Sequence, residues 1–176
     1  MLSVPDRAPA VDNDVPLVTI VIPVYNGSDF LRGAIDSALG QTYSNVEVIV
    51  VNDGSQDAGA TERVALAYGD RIRYFSKENG GVASALNFAI REMTGDYFSW
   101  LSHDDLYCSE KISQQIRFLN EQSAVRTIVY SDYSIFTDEK IADSVAVSMP
   151  SVPSKYFRYW LTARSSLHGC TLLIPR

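Results

Sequence analysis

Hydrophobic residues in this chain form short continuous runs that alternate with segments of helical spacing. The runs at residues 17–24 and 46–51 are rich in Val and Ile, and unbroken runs of this kind are typical of strands buried on both faces. Residues 72–75 and 97–101 continue the series as shorter strands. Strands that alternate with helices through short loops predict right-handed crossovers and a mostly parallel sheet with helices on both faces. The predicted fold class is therefore α/β.

Apolar residues three and four positions apart predict a helix after each of these strands. The first helix should have Ser28 or Asp29 as its N-cap and end near Gly40. The third should stop before Gly95, and its apolar face is predicted to contain Val82, Leu86, Phe88, Ala89 and Ile90. The predicted helices cover residues 30–39, 59–68, 82–93 and 109–120.

The pattern is weaker at the two ends of the chain. Residues 1–16 carry three prolines and no apolar core, which predicts a disordered leader before a single domain at residues 17–176. After residue 138 the periodicity loosens. Strands are predicted at residues 127–130 and 170–174, with a short amphipathic helix at residues 154–163 between them.

Composition narrows the class of protein. The chain has 176 residues, 46% hydrophobic and 20% charged, which is ordinary for a globular domain. Its net charge is −6 and its pI is about 4.8. Nucleic acids are bound by basic patches, and none is visible, so a nucleic-acid-binding role is disfavoured. A bound nucleotide would need help from a metal ion or backbone amides.

The cysteines and the hydropathy suggest a location. Cys108 and Cys170 are far apart and lack metal-ligand spacing, which favours a reduced, cytoplasmic setting over a disulfide scaffold. No apolar stretch approaches the roughly 20 residues of a membrane-spanning helix. The expected location is the cytoplasm, with peripheral attachment to the inner face of a membrane as an option.

Two adjacent carboxylates, Asp104 and Asp105, follow the strand predicted at residues 97–101. Side chains alternate along a strand, so at its end one carboxylate could meet a metal ion while the other reaches a hydroxyl. In open α/β sheets the ligand crevice lies outside the carboxyl ends of the strands. Ordinary loop or N-cap chemistry before the next helix is the alternative interpretation of the same pair.

Four further segments that could contribute to a site precede this pair in the sequence. They are residues 18–26, which end in Pro-Val-Tyr-Asn, residues 48–55 with Asp57, residues 79–81 with Ala85 and Asn87, and residues 95–97. Together with the acidic pair, these segments resemble the family 2 glycosyltransferases of the GT-A fold, which transfer a sugar from a nucleotide-diphosphate donor with inversion. The resemblance is strong over residues 18–120. It departs from the family pattern at Ser102, where the acidic motif usually has its first Asp.

The resemblance implies a donor-nucleotide site formed by Pro23, Tyr25, Asp53 and Asp104. Asp53 would accept a hydrogen bond from the imide N–H of uracil, and Tyr25 would lie flat on the base. Asp105 would bind Mn²⁺ or Mg²⁺, with Asp104 at the ribose or as a second metal contact. The implied donor is a nucleotide-diphosphate sugar, UDP-linked, and the acceptor is an unidentified hydroxyl.

Purely structural interpretations stay open for several of these residues. For Asp53 the alternative interpretation is a simple Asx-turn, and for Tyr25 it is a partly buried aromatic residue. The two glycines after Asn79 are more simply explained by loop shape than by anion binding. His168 is a weak candidate for a site-facing residue, and His103 a weaker one.

Alternative functions are also open. A catalytically inactive nucleotide-sugar-binding module is the second hypothesis. A nucleotide-dependent oxidoreductase is disfavoured because the first strand is not followed by the glycine-rich dinucleotide loop.

The general base that inversion requires has no candidate among the motifs. In the proteins that the chain resembles, the base lies some distance after a strand like residues 169–176, so it is expected beyond Arg176. The expectation is accordingly a GT-A domain with an incomplete acceptor part, truncated at its C-terminus. Exposed apolar surface at residues 172–174 and 156–160, and self-association through it, would follow.

Overall fold

A computed structural model of the chain describes residues 15–123, 127–136, 143–148 and 168–176. The helix predicted at residues 154–163 and the first 14 residues of the predicted leader lie outside this part. The elements are β1 (Val18–Val24), α1 (Leu31–Leu39), β2 (Val46–Asn52), α2 (Ala60–Leu66), β3 (Arg73–Ser76), α3 (Val82–Glu92), β4 (Tyr97–Trp100), α4 (Lys111–Glu121), β5 (Val129–Tyr130), β6 (Tyr133–Ile135), β7 (Val145–Val147) and β8 (Leu172–Pro175).

The central sheet has six strands in the order β3-β2-β1-β4-β8-β5. The pairs β1–β2, β1–β4 and β2–β3 are parallel, whereas β8 is antiparallel to both β4 and β5. The chain therefore places β2 and β3 on one side of β1 and then returns to place β4 on its other side. In doubly wound sheets the ligand crevice lies at this switch point, outside the carboxyl ends of the strands.

Helices cover both faces of the sheet, as the sequence predicts. On one face α3 packs against Val21, Ile49 and Val51 through Ala85 and Ala89. The other face carries α1, α2 and α4 over the alternate residues of the same strands, such as Ile20 and Ile22. Both faces of β1 are thus buried, which explains its unbroken apolar sequence.

The beginning of α1 differs from the prediction. Neither Ser28 nor Asp29 is the N-cap; that position belongs to Phe30, which makes no side-chain capping hydrogen bond. Instead the backbone amides of Phe30 and Leu31 both donate to the carbonyl of Gly27. A backbone turn thus replaces the expected side-chain cap. Gly40 caps the other end, as predicted.

The predicted apolar face of α3 is wrong in part. Val82 and Ile90 are 52% and 43% exposed, and the fully buried positions are Ala85 and Ala89. Two alanines four residues apart share one helix face and let the helix backbone approach the sheet closely. Larger apolar side chains at the helix edges are left partly in solvent.

The apolar surface expected at residues 172–174 is also corrected. Leu173 is fully buried, and Leu172 and Ile174 are half-buried, because β8 lies between β4 and β5 in the sheet.

At the other end of the domain, the carbonyls of Val15 and Pro16 accept hydrogen bonds from Asn45 and Tyr43. Within the described ranges, every helix is too short or too polar to cross a lipid bilayer.

Candidate functional site

A cavity of about 340 Å³ opens at the carboxyl ends of β1, β2 and β4. These three ends meet because β1 pairs with both of the other strands in parallel register. The loop before α3 and the first turns of that helix complete its wall. The lining residues are Pro23, Val24, Tyr25, Asp53, Asn79, Gly81, Val82, Ala85, Ser102, His103 and Asp104.

Four of the residues predicted for the site line this cavity together. Pro23 is the buried sixth residue of β1, and Tyr25 follows the strand with 43% of its surface exposed. Asp53 follows β2 with 3% exposed, and Asp104 is an exposed residue of the loop after β4. Asp105 is not among the lining residues and is half-buried beside them.

Asp53 holds the loop before α3 with its side chain. Its carboxylate accepts a hydrogen bond from the ammonium group of Lys77, with which it forms an ion pair. The backbone amides of Gly80 and Gly81 donate to the same carboxylate at 3.1 and 2.7 Å. Its backbone carbonyl accepts a further hydrogen bond from Asn79 at 2.9 Å. Asp53 therefore organises a segment more than 20 residues away in sequence.

These contacts give Asp53 and the two glycines after Asn79 a structural role in the loop before α3. Burial raises the pKa of Asp53, but the hydrogen bonds from Lys77 and the two glycine amides outweigh it and hold the pKa below its ordinary value. In this turn it is the side-chain oxygen of Asn52 that accepts a hydrogen bond from a following backbone amide, that of Ser55, at 2.9 Å. The glycine amides do bind an anion, and that anion is a carboxylate of the protein itself.

The loop after β1 is anchored to the loop after β2. The amide of Gly27 donates to the Thr61 hydroxyl at 3.0 Å, and that hydroxyl donates to Asp57 at 2.6 Å. Asn26 adopts a positive φ of 49°, and its side chain accepts from the amide of Gln56 at 2.7 Å. The rim of the cavity between β1 and β2 is consequently fixed by side-chain to backbone hydrogen bonds.

The two histidines are placed in the reverse of their predicted order. His103 lines the cavity, and its ring lies against Gly27 so closely that a Cβ there would collide with the ring. His168 is exposed, and its ring lies 4.9 Å from that of Tyr133. The predictive signal for His103 was its position directly before the acidic pair.

The acidic pair lies in the turn that follows β4, four and five residues past the strand. The next helix begins at Lys111 with Glu110 as its N-cap, so neither Asp104 nor Asp105 caps it. Asp105 accepts a hydrogen bond from the thiol of Cys170 at 2.9 Å. Among the residues that the structure describes, no basic side chain forms an ion pair with either carboxylate.

Cys170 lies beside the acidic pair, although no pattern in the sequence places it at the site. It is a half-buried free cysteine in the 3-10 turn that precedes β8. Burial raises the pKa of its thiol to about 11, with the hydrogen bond to Asp105 as the second cause. The thiol also contacts the amide and the hydroxyl of Ser102, both at 3.3 Å.

A polar cluster lies behind this turn, between β4, β8 and α4. The ammonium of Lys111 contacts the Ser99 hydroxyl at 3.2 Å and the Gln115 side chain at 3.0 Å, and lies 4.2 Å from the centroid of the Tyr107 ring. Burial lowers the pKa of Lys111 to about 7. Gln115 and Ser99 in turn donate to the backbone carbonyls of Thr171 and Leu172. The cluster fixes the backbone on the C-terminal side of Cys170.

The donor set suits one kind of metal ion. The described residues contain no group of three or more His, Cys, Asp or Glu side chains that could hold a metal by themselves. Mg²⁺ and Mn²⁺ prefer oxygen ligands, and Mg²⁺ sites typically combine one or two carboxylates with substrate phosphates. Asp104 and Asp105 match that requirement, whereas a structural zinc site would need more nitrogen or sulfur ligands.

Comparisons with known proteins agree with the fold. The model of the family described as "Glycosyl transferase family 2" matches residues 19–171. An uncharacterized glycosyltransferase of Rickettsia felis is 54% identical over 163 residues, which cover 91% of this chain and 27% of that protein. An uncharacterized glycosyltransferase of Rickettsia typhi is 53% identical, with 91% of this chain and 50% of that protein covered. The chain thus spans between about a quarter and a half of the length of these relatives.

Solved structures share the fold at low sequence identity. A mannosyltransferase from Pyrobaculum calidifontis, solved in complex with GDP-Man and Mn²⁺, has a TM-score of 0.59 at 23% identity and covers 92% of this chain and 45% of its own. Residues 1–349 of Staphylococcus aureus TarS in complex with UDP give a TM-score of 0.56 at 21% identity, covering 61% of this chain and 33% of that one. The predicted GT-A fold is confirmed.

Proposed function

Because the chain belongs to glycosyl transferase family 2, we propose that it binds a nucleotide-diphosphate sugar at the carboxyl ends of β1, β2 and β4 and transfers the sugar to a hydroxyl group. The observation that carries the proposal is the convergence of Pro23, Tyr25, Asp53 and Asp104 on one cavity. Its volume of about 340 Å³ falls within the range of ligand pockets, roughly 300–1,000 Å³.

The base is proposed to lie between Tyr25 and Asp53. An exposed aromatic ring can stack on any base, so Tyr25 supplies affinity without choosing the base. Asp53 supplies the choice. An ionised carboxylate has about four lone-pair sites. Lys77 and Gly81 each donate one hydrogen bond to it, and the Gly80 amide is shared between its two oxygens at 3.2 and 3.1 Å, so one more donor can be accepted where the Gly80 amide keeps a single contact. The imide N–H of uracil is such a donor, and UDP is therefore the proposed nucleotide.

The diphosphate is proposed to lie toward Asp104 and Asp105. Mn²⁺ or Mg²⁺ would separate its negative charge from that of the two carboxylates. The support is electrostatic: two carboxylates without a basic partner in the described part of the chain repel a diphosphate unless a cation joins them. When bound, the metal would neutralise the charge that builds on the leaving diphosphate. Asp105 is the proposed first ligand, and Asp104 is proposed for the ribose or a second metal contact.

The transfer itself is proposed to proceed with inversion. The acceptor oxygen forms a bond to the anomeric carbon from the face opposite the diphosphate, while the bond from that carbon to the diphosphate oxygen breaks. The hydroxyl proton passes to a general base. The cavity residues contribute by holding the donor and leaving one face of the sugar open.

The proposed setting is cytoplasmic, supported by two free cysteines, Cys108 and Cys170.

Thermal unfolding with a panel of nucleotide diphosphates tests the binding step. A ligand that binds only the native state at 100 times its Kd adds about 2.7 kcal/mol to the free energy of unfolding. We expect UDP with Mn²⁺ to raise Tm most, UDP alone to raise it little, and GDP, CDP and ADP with Mn²⁺ to raise it less. Equal shifts for all four nucleotides would refute the role proposed for Asp53.

Turnover with UDP-sugars separates transfer from mere binding. Release of UDP from a panel of UDP-sugars, with simple alcohols and saccharides as acceptors, supports the enzyme. Tight, metal-dependent UDP binding with no release from any donor favours the second candidate, a nucleotide-sugar-binding module.

A further inference from the structure

The thiol of Cys170 and the carboxylate of Asp105 are 65 residues apart in sequence and 2.9 Å apart in the structure. The contact exists because the turn at residues 169–171 enters the sheet beside β4, whose C-terminal loop carries Asp105. The thiol is the donor, since the carboxylate can only accept. One oxygen of Asp105 is thereby fixed by the far end of the chain.

The backbone around Cys170 is held on three sides. The carbonyls of Thr171 and Leu172 accept hydrogen bonds of 2.8 and 3.0 Å from buried side chains of α4 and β4. Gly169 lies against the ring of Trp100, and an added Cβ would collide with the ring. The backbone at Cys170 therefore cannot shift without breaking buried contacts. The sulfur atom is held in addition by its contacts with the amide and the hydroxyl of Ser102, both at 3.3 Å.

We propose that Cys170 is a positioning residue that orients the Asp105 carboxylate for a divalent metal ion, through the hydrogen bond from its thiol. The inference rests on the function proposed above, in which Asp105 is a metal ligand. A carboxylate held at one oxygen loses less rotational freedom when the other oxygen binds a cation, and hydrogen-bonding partners of this kind typically change metal affinity 10- to 100-fold.

Three variants test the proposal on the 176-residue chain. Cys170→Ala removes the donor, Cys170→Ser keeps a donor of similar size, and Cys108→Ser is the matched control at the exposed second cysteine. Binding of Mn²⁺ is measured by electron paramagnetic resonance of the free ion in the presence of saturating UDP. Affinity for UDP without metal is measured by calorimetry on the same samples.

The expected result is a Kd for Mn²⁺ about 10- to 100-fold higher in Cys170→Ala, with most of the parent's affinity retained in Cys170→Ser and all of it in Cys108→Ser. Affinity for metal-free UDP should be equal in all four proteins. Parent-like Mn²⁺ binding by Cys170→Ala would overturn the proposal. An equal loss in the Ala and Ser variants would also overturn it, because packing rather than the hydrogen bond would then be responsible.

The parent chain distinguishes this inference from the proposed function. If the parent and Cys170→Ala bind Mn²⁺ with equal affinity in the presence of UDP, only the role proposed for Cys170 is refuted. If the parent itself shows no Mn²⁺ binding with UDP, the metal site falls and the positioning role falls with it.

Discussion

Asp53 and Asp104 line one cavity, yet their negative charges are compensated in different ways. Asp53 is 3% exposed and is satisfied within the protein by Lys77 and two backbone amides. Asp104 is exposed, and neither it nor Asp105 forms an ion pair with a described basic residue. The negative charge of Asp53 is compensated within the described part of the protein, whereas that of the acidic pair is not. Under the proposed function, this difference separates a preformed wall for the base from a site where a cation is needed to bind the diphosphate.

The largest expected effect on the free energy of unfolding comes from breaking the ion pair between Asp53 and Lys77. Asp53→Asn leaves Lys77 beside a neutral amide at a nearly buried site, and removing one partner of a buried pair typically costs about 3 kcal/mol or more. Denaturant unfolding at pH 7 should show this loss of free energy of unfolding. A double-mutant cycle with Lys77→Met isolates the pair, and additive losses would contradict a direct coupling.

The same pair predicts a pH dependence of stability. Because the folded-state pKa of Asp53 is below its unfolded value, the ion pair stabilises the fold fully above the unfolded pKa, near 4. The stabilisation is lost as pH falls through the lower folded-state pKa. The stability difference between parent and Asp53→Asn should therefore be constant from pH 7 to pH 5 and shrink in more acidic buffer.

On the side of Asp105, the burial of Lys111 should destabilise the fold at neutral pH, and this effect should be smaller than the stabilisation from the Asp53 ion pair. The pKa of Lys111 falls from 10.5 to about 7 on folding, so between these values the unfolded chain binds the extra proton and the free energy of unfolding rises with pH. Relative to Lys111→Met, the parent should gain roughly 2 kcal/mol between pH 7 and pH 9. Denaturant titrations of both proteins at the two pH values measure the difference. A constant difference would mean that Lys111 stays charged in the folded protein.

The contact between His103 and Gly27 should give the smallest of these effects. In Gly27→Ala the new Cβ collides with the His103 ring and approaches Val24 to 2.7 Å, and overpacking of this kind costs about 1–3 kcal/mol. His103→Ala should relieve part of the cost in the double variant, because the Val24 contact persists. Thermal unfolding of the four proteins tests this, and no relief in the double variant would argue against the ring position.

The sequence predicted the elements of the parallel half of the sheet closely. The unbroken apolar runs of β1 and β2, and the helix α1 between them, lie within one residue of their predicted ends, since burial of both strands on both faces leaves a strong local signal. The family resemblance implied a site formed by Pro23, Tyr25, Asp53 and Asp104, and in the structure all four line one cavity.

The features that the sequence did not predict depend on contacts between distant segments. The partners of Asp53 lie 24 to 28 residues later, and Cys170 is 65 residues from Asp105, so no local pattern links them. The antiparallel direction of β8 is equally invisible in a four-residue strand. The exposure of Val82 and Ile90 was missed because α3 packs through its alanines, a choice that depends on how closely the helix approaches the sheet.

The central claim is that the acidic side of the cavity needs a cation to bind the donor, and calorimetric titration of UDP tests it most directly. The titration compares the parent, Asp105→Ala and the control Asp70→Ala, an exposed acid in the turn before β3, each with Mn²⁺ and with a chelator. We predict that Mn²⁺ raises UDP affinity at least about tenfold, or about 1.4 kcal/mol, in the parent and the control. In Asp105→Ala the gain should disappear. An equal gain from Mn²⁺ in Asp105→Ala, or equal UDP affinity with and without the metal in the parent, would contradict the claim.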